Sequence, residues 1–180
     1  VPHLVSFHTL AEIKQRARVG ERESEQRTRG EKRVIQSADS IVAFSQHERD
    51  AIVRFYDAPG EKIEVIPCGV DAQLFSPSDH VIAKRKLGLE GSSVVLFVGR
   101  LEPIKGVEIL LEAVAQLEDV ESVKTLIVGG NLEEEDQEME RLQSLARELG
   151  ISNKVDFVGR LDQWELPIYY NAADICVVPS

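Results

Sequence analysis

Residues 94–106 read VVLFVGRLEPIKG. The first five are apolar and mostly β-branched, which predicts a buried strand. Gly99 and Arg100 follow this strand at once, and after a short turn Lys105 and Gly106 precede a helical pattern that begins near Val107. A strand followed closely by a helix is the unit from which parallel sheets are built. The segment therefore predicts an α/β fold.

Short apolar runs alternate with helical segments along the rest of the chain. Helical periodicity is clearest in residues 107–117 and 139–149, where apolar side chains recur every three or four positions. Continuous apolar strands separated by helices are typical of a parallel sheet that is covered on both faces. The other predicted strands are His3–Phe7, Ser40–Phe44, Ile63–Ile66, Thr125–Val128, Val155–Val158 and Ile175–Val178.

A weak internal repeat indicates two such sheets in tandem. Residues 37–45, SADSIVAFS, resemble residues 172–180, AADICVVPS, because each has a helix end, Ala-Asp, an apolar strand and a serine. The sequence therefore predicts two Rossmann-like parallel-sheet halves, residues 1–71 and residues 72–180. Both halves are expected to be truncated, since the chain starts and ends on apparent strands. A single seven-stranded sheet is the alternative that the pattern leaves open.

The composition limits the classes of function. Hydrophobic residues make up 43% of the chain and charged residues 29%, as in soluble globular proteins. The formal net charge of −10 argues against a nucleic-acid partner, whose phosphates require a basic surface. No apolar run approaches the roughly 20 residues that span a bilayer, so no transmembrane segment is expected. Cys68 and Cys176 lie far apart in predicted strands, which indicates a reducing, cytoplasmic setting.

The residues that follow the strand at 94–98 have the chemistry of an anion site. Ligands of doubly wound sheets bind beyond the carboxyl ends of the strands, and Gly99 would let the backbone approach one. Arg100 and Lys105 could face the same point, and the next helix N-terminus adds partial positive charge, which suits a diphosphate. The alternative is an exposed arginine and lysine at an ordinary turn. The four histidines do not cluster at ligand spacing, so no metal site is expected.

The chain resembles a known enzyme family. The run FVGRLEPIKGVEILLEA, residues 97–113, is similar to the donor-domain signature of the group 1, or family four, retaining glycosyltransferases of the GT-B fold. The amino-terminal part, with His8, Thr9, Arg27 and Glu31, looks most like the branch of inositol-phosphate N-acetylglucosaminyltransferases and sucrose-phosphate synthases. The agreement extends over almost the whole chain. Residues 66–71, 75–77, 126–130, 155–160 and 172–180 also match the family in order and spacing.

The resemblance implies that a sugar moves from a nucleotide sugar, most simply a UDP-sugar, to an acceptor hydroxyl with retention of configuration and without a metal or cofactor. Arg100 and Lys105 would bind the diphosphate and stabilise the leaving charge. Gly99, Gly129 and Gly130 would let the backbone approach the donor, and Arg160 would contact the base. These last assignments compete with structural ones. The competing interpretations are a tight turn at the glycines and a salt-bridged loop residue at Arg160.

The resemblance also implies an acceptor side. His8 would lie near the donor sugar and the reacting centre, at the cleft between the domains. Thr9 and Arg27 match positions that hold the acceptor phosphate in the inositol-phosphate branch. The competing interpretation makes His8 a structural residue and Arg27 part of a solvated helix with i,i+4 ion pairs. Small-molecule, glycan and lipid acceptors all occur in the family, and lipid acceptors are compatible with peripheral membrane contact.

The family's two donor-binding glutamates would lie beyond Ser180, and the first strands of the acceptor domain would precede Val1. We therefore expect this stretch alone not to turn over. Two other classes of function remain open from the sequence. One is a non-catalytic nucleotide-sugar-binding module, and the other is a GT-B-like epimerase or hydrolase that acts on the nucleotide sugar without an acceptor.

Overall fold

The chain folds as two compact units. The structure is a computed structural model that describes residues 1–16, 23–117, 122–130 and 136–179; Ser180, the end of the internal repeat, lies outside these residues. The units are Val1–Val70 and Asp71–Ser180. Among the described residues, each unit has its own sheet, of three strands in the first and four in the second. The alternative of a single seven-stranded sheet is therefore wrong, and the predicted α/β class is confirmed.

The first unit is a three-stranded parallel sheet in the order β1-β2-β3. Its core contains Ile35, Ile41, Ile52 and Tyr56, which are fully buried. These side chains come from two helices and the central strand, so the helices pack on the sheet through the apolar faces that the sequence pattern indicates. The elements are β1 (Leu4–Ser6), α1 (Ala11–Arg16), α2 (Glu25–Ser37), β2 (Ser40–Ala43), α3 (Gln46–Tyr56) and β3 (Ile63–Val65).

The second unit is a four-stranded parallel sheet in the order β6-β5-β4-β7. A single 3₁₀ turn, Pro103–Lys105, precedes α5. Within the described ranges, neither unit has a helix with the length and apolarity needed to cross a bilayer. The elements are α4 (His80–Lys86), β4 (Ser93–Val98), α5 (Val107–Ala115), β5 (Val123–Val128), α6 (Gln137–Glu148), β6 (Val155–Gly159), α7 (Leu166–Ala172) and β7 (Ile175–Cys176).

The central strands β4 and β5 are buried on both faces, which explains their continuous apolar sequences. Successive side chains of a strand point to opposite faces of the sheet. Leu96 and Leu126 are paired neighbours in the cluster beside α4 and α7, whereas Phe97 and Ile127 are paired neighbours in the cluster beside α5 and α6. Helices on both faces leave the strand ends as the accessible part of the sheet, and that is where a ligand can reach it.

Three of the four edge strands, β1, β3 and β7, are shorter than predicted, whereas β6 extends one residue further, to Gly159. β3 ends at Val65, and the backbone N–H of Ile66 donates the last bond of this ladder to Ala43, 2.9 Å away. The placement of Cys68 in a strand is therefore wrong, because β2 ends at Ala43 and the N–H of Phe44, the next residue, donates to the Glu48 side chain instead of to β3. Both Cys68 and Cys176 are free and exposed.

Candidate functional site

A cleft of about 640 Å³ lies at the carboxyl edge of the sheet in the second unit. Residues that directly follow β4, β5 and β6 line it, because neighbouring parallel strands end on the same side of the sheet. Apolar side chains from the strand ends and from α7, such as Val98 and Leu166, form part of its wall. The cleft brings together five of the residues that the sequence singles out: Gly99, Arg100, Gly129, Gly130 and Arg160.

A second cleft of similar size, about 650 Å³, lies between α4 and α7 of the same unit. Trp164, Tyr169 and Lys86 are among its lining residues. None of the site residues predicted from the sequence lines this cleft, and it does not lie at the strand ends. The cleft at the carboxyl edge is therefore the candidate site.

Gly99 and Gly129 allow the ends of β4 and β5 to approach each other closely. A Cβ atom on Gly129 would lie 1.8 Å from the carbonyl oxygen of Gly99, and Gly129 has a φ of 145° that only glycine adopts readily. The N–H of Gly99 donates to Val128 and that of Gly129 donates to Gly159, at 3.0 and 2.8 Å. These two N–H groups are thus used by the sheet. The direct contribution of Gly99 and Gly129 to the site is the space that is left because they have no side chains.

Arg100 lies two residues beyond β4 and extends into solvent at the rim of the cleft. Its Nη1 atom is 2.6 Å from Oε1 of Glu102, and 74% of the arginine side chain is exposed. A guanidinium has five N–H donors, so this pair leaves most of them available to a ligand. Glu102 was not predicted as a site residue. The spacing of two positions between these opposite charges is the sequence feature that could have indicated the ion pair.

Lys105 does not line the cleft. It ends the 3₁₀ turn Pro103–Lys105 immediately before the N-cap Gly106 of α5. The lysine is half-buried, and in the described part of the chain its ammonium group has neither a hydrogen-bond nor an ion-pair partner. Gly106 offers no capping side chain, so the first N–H groups of the nine-residue helix α5 also lack a side-chain acceptor.

Arg160 is the first residue after β6, and it is exposed without an ion-pair partner among the described residues. On the opposite side of the cleft, Asp136 accepts a hydrogen bond from the N–H of Met139 and thereby caps α6. Arg100 and Arg160 are matched in formal charge by Glu102 and Asp136. Net positive charge for an anion must therefore come from Lys105 and from the N-terminus of α5.

In the first unit, His8 and Thr9 lie just beyond the carboxyl end of β1. The His8 ring stacks on Phe44, which follows the neighbouring strand β2, with 5.4 Å between the ring centroids and 27° between the planes. Both His8 and Thr9 are exposed. They therefore occupy the edge of this sheet that is equivalent to the edge used by the cleft of the second unit.

Arg27 of α2 reaches Thr9 across 18 positions of sequence. Its Nη2 atom donates to the backbone oxygen and to Oγ1 of Thr9, each at 3.1 Å. The i,i+4 ion pairs of the competing interpretation are also present, because Arg27 binds Glu23 and Glu31 at 2.9 Å each. Hydrogen bonding to Glu31, and then to Glu23, raises the pKa of Arg27 against the effect of burial.

Two family models match the chain. Residues 81–180, more than half of the chain, match the model of the Glycosyl transferases group 1, and residues 1–74 match that of Glycosyltransferase Family 4. The chain belongs to the group 1 glycosyl transferases. Its two units carry the strand-end motifs on which the resemblance rests.

Proteins similar to this group 1 glycosyl transferase chain are more than twice its length. D-inositol 3-phosphate glycosyltransferase 2 of Catenulispora acidiphila is 38% identical over 188 residues, which cover all of this chain and 44% of that protein. Sucrose-phosphate synthase of Thermosynechococcus elongatus has a TM-score of 0.84 at 33% identity, over 98% of this chain and 44% of its own. Anabaena Alr3699/HepE, solved in complex with UDP and glucose, has a TM-score of 0.78 at 27% identity, over 97% and 45%.

The similarity to the solved structures confirms the GT-B fold that the sequence predicts for the two units. No set of three His, Cys, Asp or Glu side chains in residues 1–16, 23–117, 122–130 and 136–179 is arranged to hold a metal ion. The charged residues that line the cleft of this glycosyl transferase chain are Arg100, Glu102, Asp136 and Arg160.

Proposed function

We propose that the protein carries a sugar from a nucleoside diphosphate sugar, a UDP-sugar, to an acceptor hydroxyl with retention of configuration and without a metal ion. Residues 72–180 form the donor side, and residues 1–71 belong to the acceptor side. Membership of the group 1 glycosyl transferases supports the reaction class, and the UDP complex of the Anabaena relative supports the choice of nucleotide.

The unpaired ammonium group of Lys105 is the observation that carries this proposal. The stem of Lys105 is partly covered, whereas its ammonium group has no partner among the described residues and is therefore available to an anion. The N-terminus of α5 begins next to Lys105, and Arg100 lies on the other side of the same turn. A diphosphate can contact all three groups, since its two phosphates extend over several ångströms.

The same groups explain how the donor would react. As the bond between the sugar and the diphosphate breaks, negative charge accumulates on the leaving phosphate. Arg100, Lys105 and the α5 N–H groups stabilise that charge from fixed positions, as preorganised donors do in other enzymes. Fixed cations at the leaving group perform the task that a divalent ion performs elsewhere, which is why the mechanism needs no metal. The acceptor oxygen then bonds to the anomeric carbon on the face that the diphosphate leaves, and the departing phosphate accepts the proton of the acceptor hydroxyl. Because the new bond forms on the same face as the broken one, the configuration is retained.

The remaining predicted residues have supporting roles. Gly99, Gly129 and Gly130 keep the floor of the cleft free of side chains, and Arg160 contacts the nucleotide base. On the acceptor side, His8 contacts the donor sugar near the reacting carbon. Thr9 and Arg27 hold an oxygen-rich group of the acceptor, and the hydrogen bonds between these two residues support a shared role. The free cysteines fit a reducing compartment, and we place the protein in the cytoplasm.

Product analysis tests the proposal. The full-length protein that contains this chain is incubated with UDP-glucose and UDP-N-acetylglucosamine, each with inositol phosphate and fructose phosphate as acceptors, in the presence of EDTA. We expect transfer to one acceptor, with an anomeric proton coupling in the product that matches the configuration of the donor. Release of free sugar without transfer would favour a hydrolase. Inversion at the anomeric carbon, or loss of activity in EDTA, would contradict the mechanism.

A further inference from the structure

A buried carboxylate and a buried tyrosine hydroxyl meet beneath the His8–Thr9 loop of the first unit. Glu31 is nine-tenths buried, and Tyr56, the last residue of α3, is fully buried. The Tyr56 hydroxyl donates to Oε2 of Glu31 at 2.5 Å. Burial, and then the hydrogen bond to Glu31, raises the pKa of Tyr56, so the hydroxyl keeps its proton for this bond. A polar pair inside an apolar core is costly unless it is fully hydrogen-bonded. The other hydrogen bonds of Glu31 and Tyr56 therefore indicate what the pair does.

Two of the partners in these bonds lie at the end of the loop, where α1 begins. The N–H of Ala11 donates to Glu31 at 3.0 Å, and the N–H of Glu12 donates to the Tyr56 hydroxyl at 3.1 Å. These are the first N–H groups of α1, which have no partner inside the helix. Leu10 precedes the helix and has no polar side chain to cap it. Glu31 and Tyr56 therefore cap α1 from two other helices and fix the point where the His8–Thr9 loop ends.

The same carboxylate also fixes Arg27. Oε1 of Glu31 accepts a hydrogen bond from Nε of Arg27 at 2.9 Å, while Nη2 of Arg27 holds both oxygens of Thr9. The Thr9 hydroxyl accepts from the guanidinium, so its own proton must point away from Arg27 and is available to a ligand. The charge of Arg27 is balanced by Glu23 and Glu31, whereas Lys14 pairs with Glu23. These two basic and two acidic side chains carry no net formal charge. The cluster therefore contributes a fixed geometry at the Thr9 loop, and not a charge.

We propose that Glu31 and Tyr56 are positioning residues for the acceptor: through Arg27 and the start of α1 they hold the Thr9 hydroxyl as an outward hydrogen-bond donor to an acceptor oxygen. The proposal rests on the proposed acceptor role of Thr9. Removing the Glu31 charge or the Tyr56 hydroxyl frees Arg27 and the loop without altering the donor cleft of the second unit. The effect must therefore fall mainly on the acceptor, because the loop contributes only His8 to the donor sugar whereas the second unit holds the rest of the nucleotide sugar.

Two variants and a matched control test this assignment. Glu31→Gln removes the charge at nearly constant shape, and Tyr56→Phe removes only the hydroxyl. Glu25→Gln is the control, because Glu25 lies on the same helix and pairs with Arg29 on the exposed surface at 2.6 Å. Two quantities are measured in each protein: the ¹⁵N–¹H resonance of Arg27 Nε, and the KM values for acceptor and for nucleotide sugar separately.

We expect the Arg27 resonance to move in both variants, because its charge-assisted hydrogen bond to Glu31 changes. The KM for the acceptor should rise about tenfold in Glu31→Gln and about threefold in Tyr56→Phe, with a clearly smaller change in the KM for the nucleotide sugar. The control should match the unaltered protein in every respect. Tyr56→Phe keeps the aromatic ring and the packing of the core, so it tests the assignment even if Glu31→Gln folds poorly.

An unchanged Arg27 resonance in Tyr56→Phe and Glu31→Gln would overturn the assignment, and so would an equal rise in both KM values. The resonance is measured on protein without substrate, so it judges the network independently of the reaction. If the unaltered protein transfers sugar to no acceptor, the proposed function fails. If the resonance moves while the acceptor KM stays constant, the loop is held as described but Thr9 does not bind the acceptor, and the positioning role is refuted.

Discussion

Replacing Gly129 by alanine should severely destabilise the second unit. The new Cβ atom would lie 1.8 Å from the carbonyl oxygen of Gly99 and 3.0 Å from its carbonyl carbon. A Cβ atom essentially never lies within 3.0 Å of another heavy atom, so the ends of β4 and β5 would have to separate by roughly 1.2 Å. Both clashing atoms belong to the backbone, so rotation of a side chain cannot relieve the contact.

The size of the effect follows from two costs. A non-glycine residue at the φ of 145° recorded for Gly129 costs about 1–3 kcal/mol. Separation of the strand ends also weakens the bonds from Gly99 to Val128 and from Gly129 to Gly159, each worth about 1 kcal/mol. The expected loss is therefore about 3–5 kcal/mol, against a total of about 5–15 kcal/mol for a typical domain.

The measurement is a guanidinium titration in which amide NMR signals of β4 and β5 report the unfolding of this unit by itself. Gly150→Ala is the matched control, because Gly150 also has a positive φ, of 70°, but its added Cβ would meet no atom within 4 Å. The control should lose only about 1 kcal/mol. If Gly129→Ala lost no more than the control, the close approach of the two strand ends would not exist as described.

Two further changes in the second unit have expected outcomes. Thr125 is fully buried in β5 with no hydrogen-bond partner for its hydroxyl in the described chain, so Thr125→Val should leave the free energy of unfolding unchanged or raise it by about 1 kcal/mol, measured by chemical denaturation. The Asp174 carboxylate accepts bonds from Lys84 and from the N–H of Val94, both at 2.6 Å; burial alone would raise its pKa, but these bonds outweigh burial and lower the pKa below 3.8. Because this pKa is lowered in the folded state, the carboxylate stabilises the protein above about pH 4, and this stabilisation is lost on acidification. Asp174→Asn should therefore be less stable than the unaltered protein at pH 7 and should lose less stability between pH 5 and about pH 2. An equal pH dependence of the two proteins would contradict this.

The strand-end residues of the second unit could be predicted because their neighbours in space are close in sequence or follow equivalent strands. β4 and β5 are buried on both faces, so their apolar runs are continuous and unambiguous. Each parallel strand ends on the same edge, and this rule alone brings Arg100, Gly129 and Arg160 together. The fold class and the cleft therefore follow from the sequence pattern.

The contacts that join distant segments could not be predicted. Tyr56 looked like any apolar helix residue, because nothing local indicates that its hydroxyl meets Glu31, 25 positions away. Lys105 and Arg100 are predicted to face the same point, and the 3₁₀ turn at Pro103–Lys105 that lies between the two positions is not visible in the residue types. Whether the strand β3 reaches Cys68 depends on where the neighbouring strand β2 ends, and that end is set by another segment of the chain.

The most direct test of the donor site is a calorimetric titration of the protein with UDP, GDP and ADP. It is repeated with Lys105→Ala and with Lys86→Ala, an exposed lysine of α4 outside the candidate cleft, as the control. We expect selective binding of UDP, weakened in Lys105→Ala by about 1.5–3 kcal/mol, or roughly 10- to 150-fold, and unchanged in the control. Equal affinity of Lys105→Ala and the unaltered protein for UDP would show that Lys105 is an ordinary surface lysine and would contradict the proposed diphosphate site.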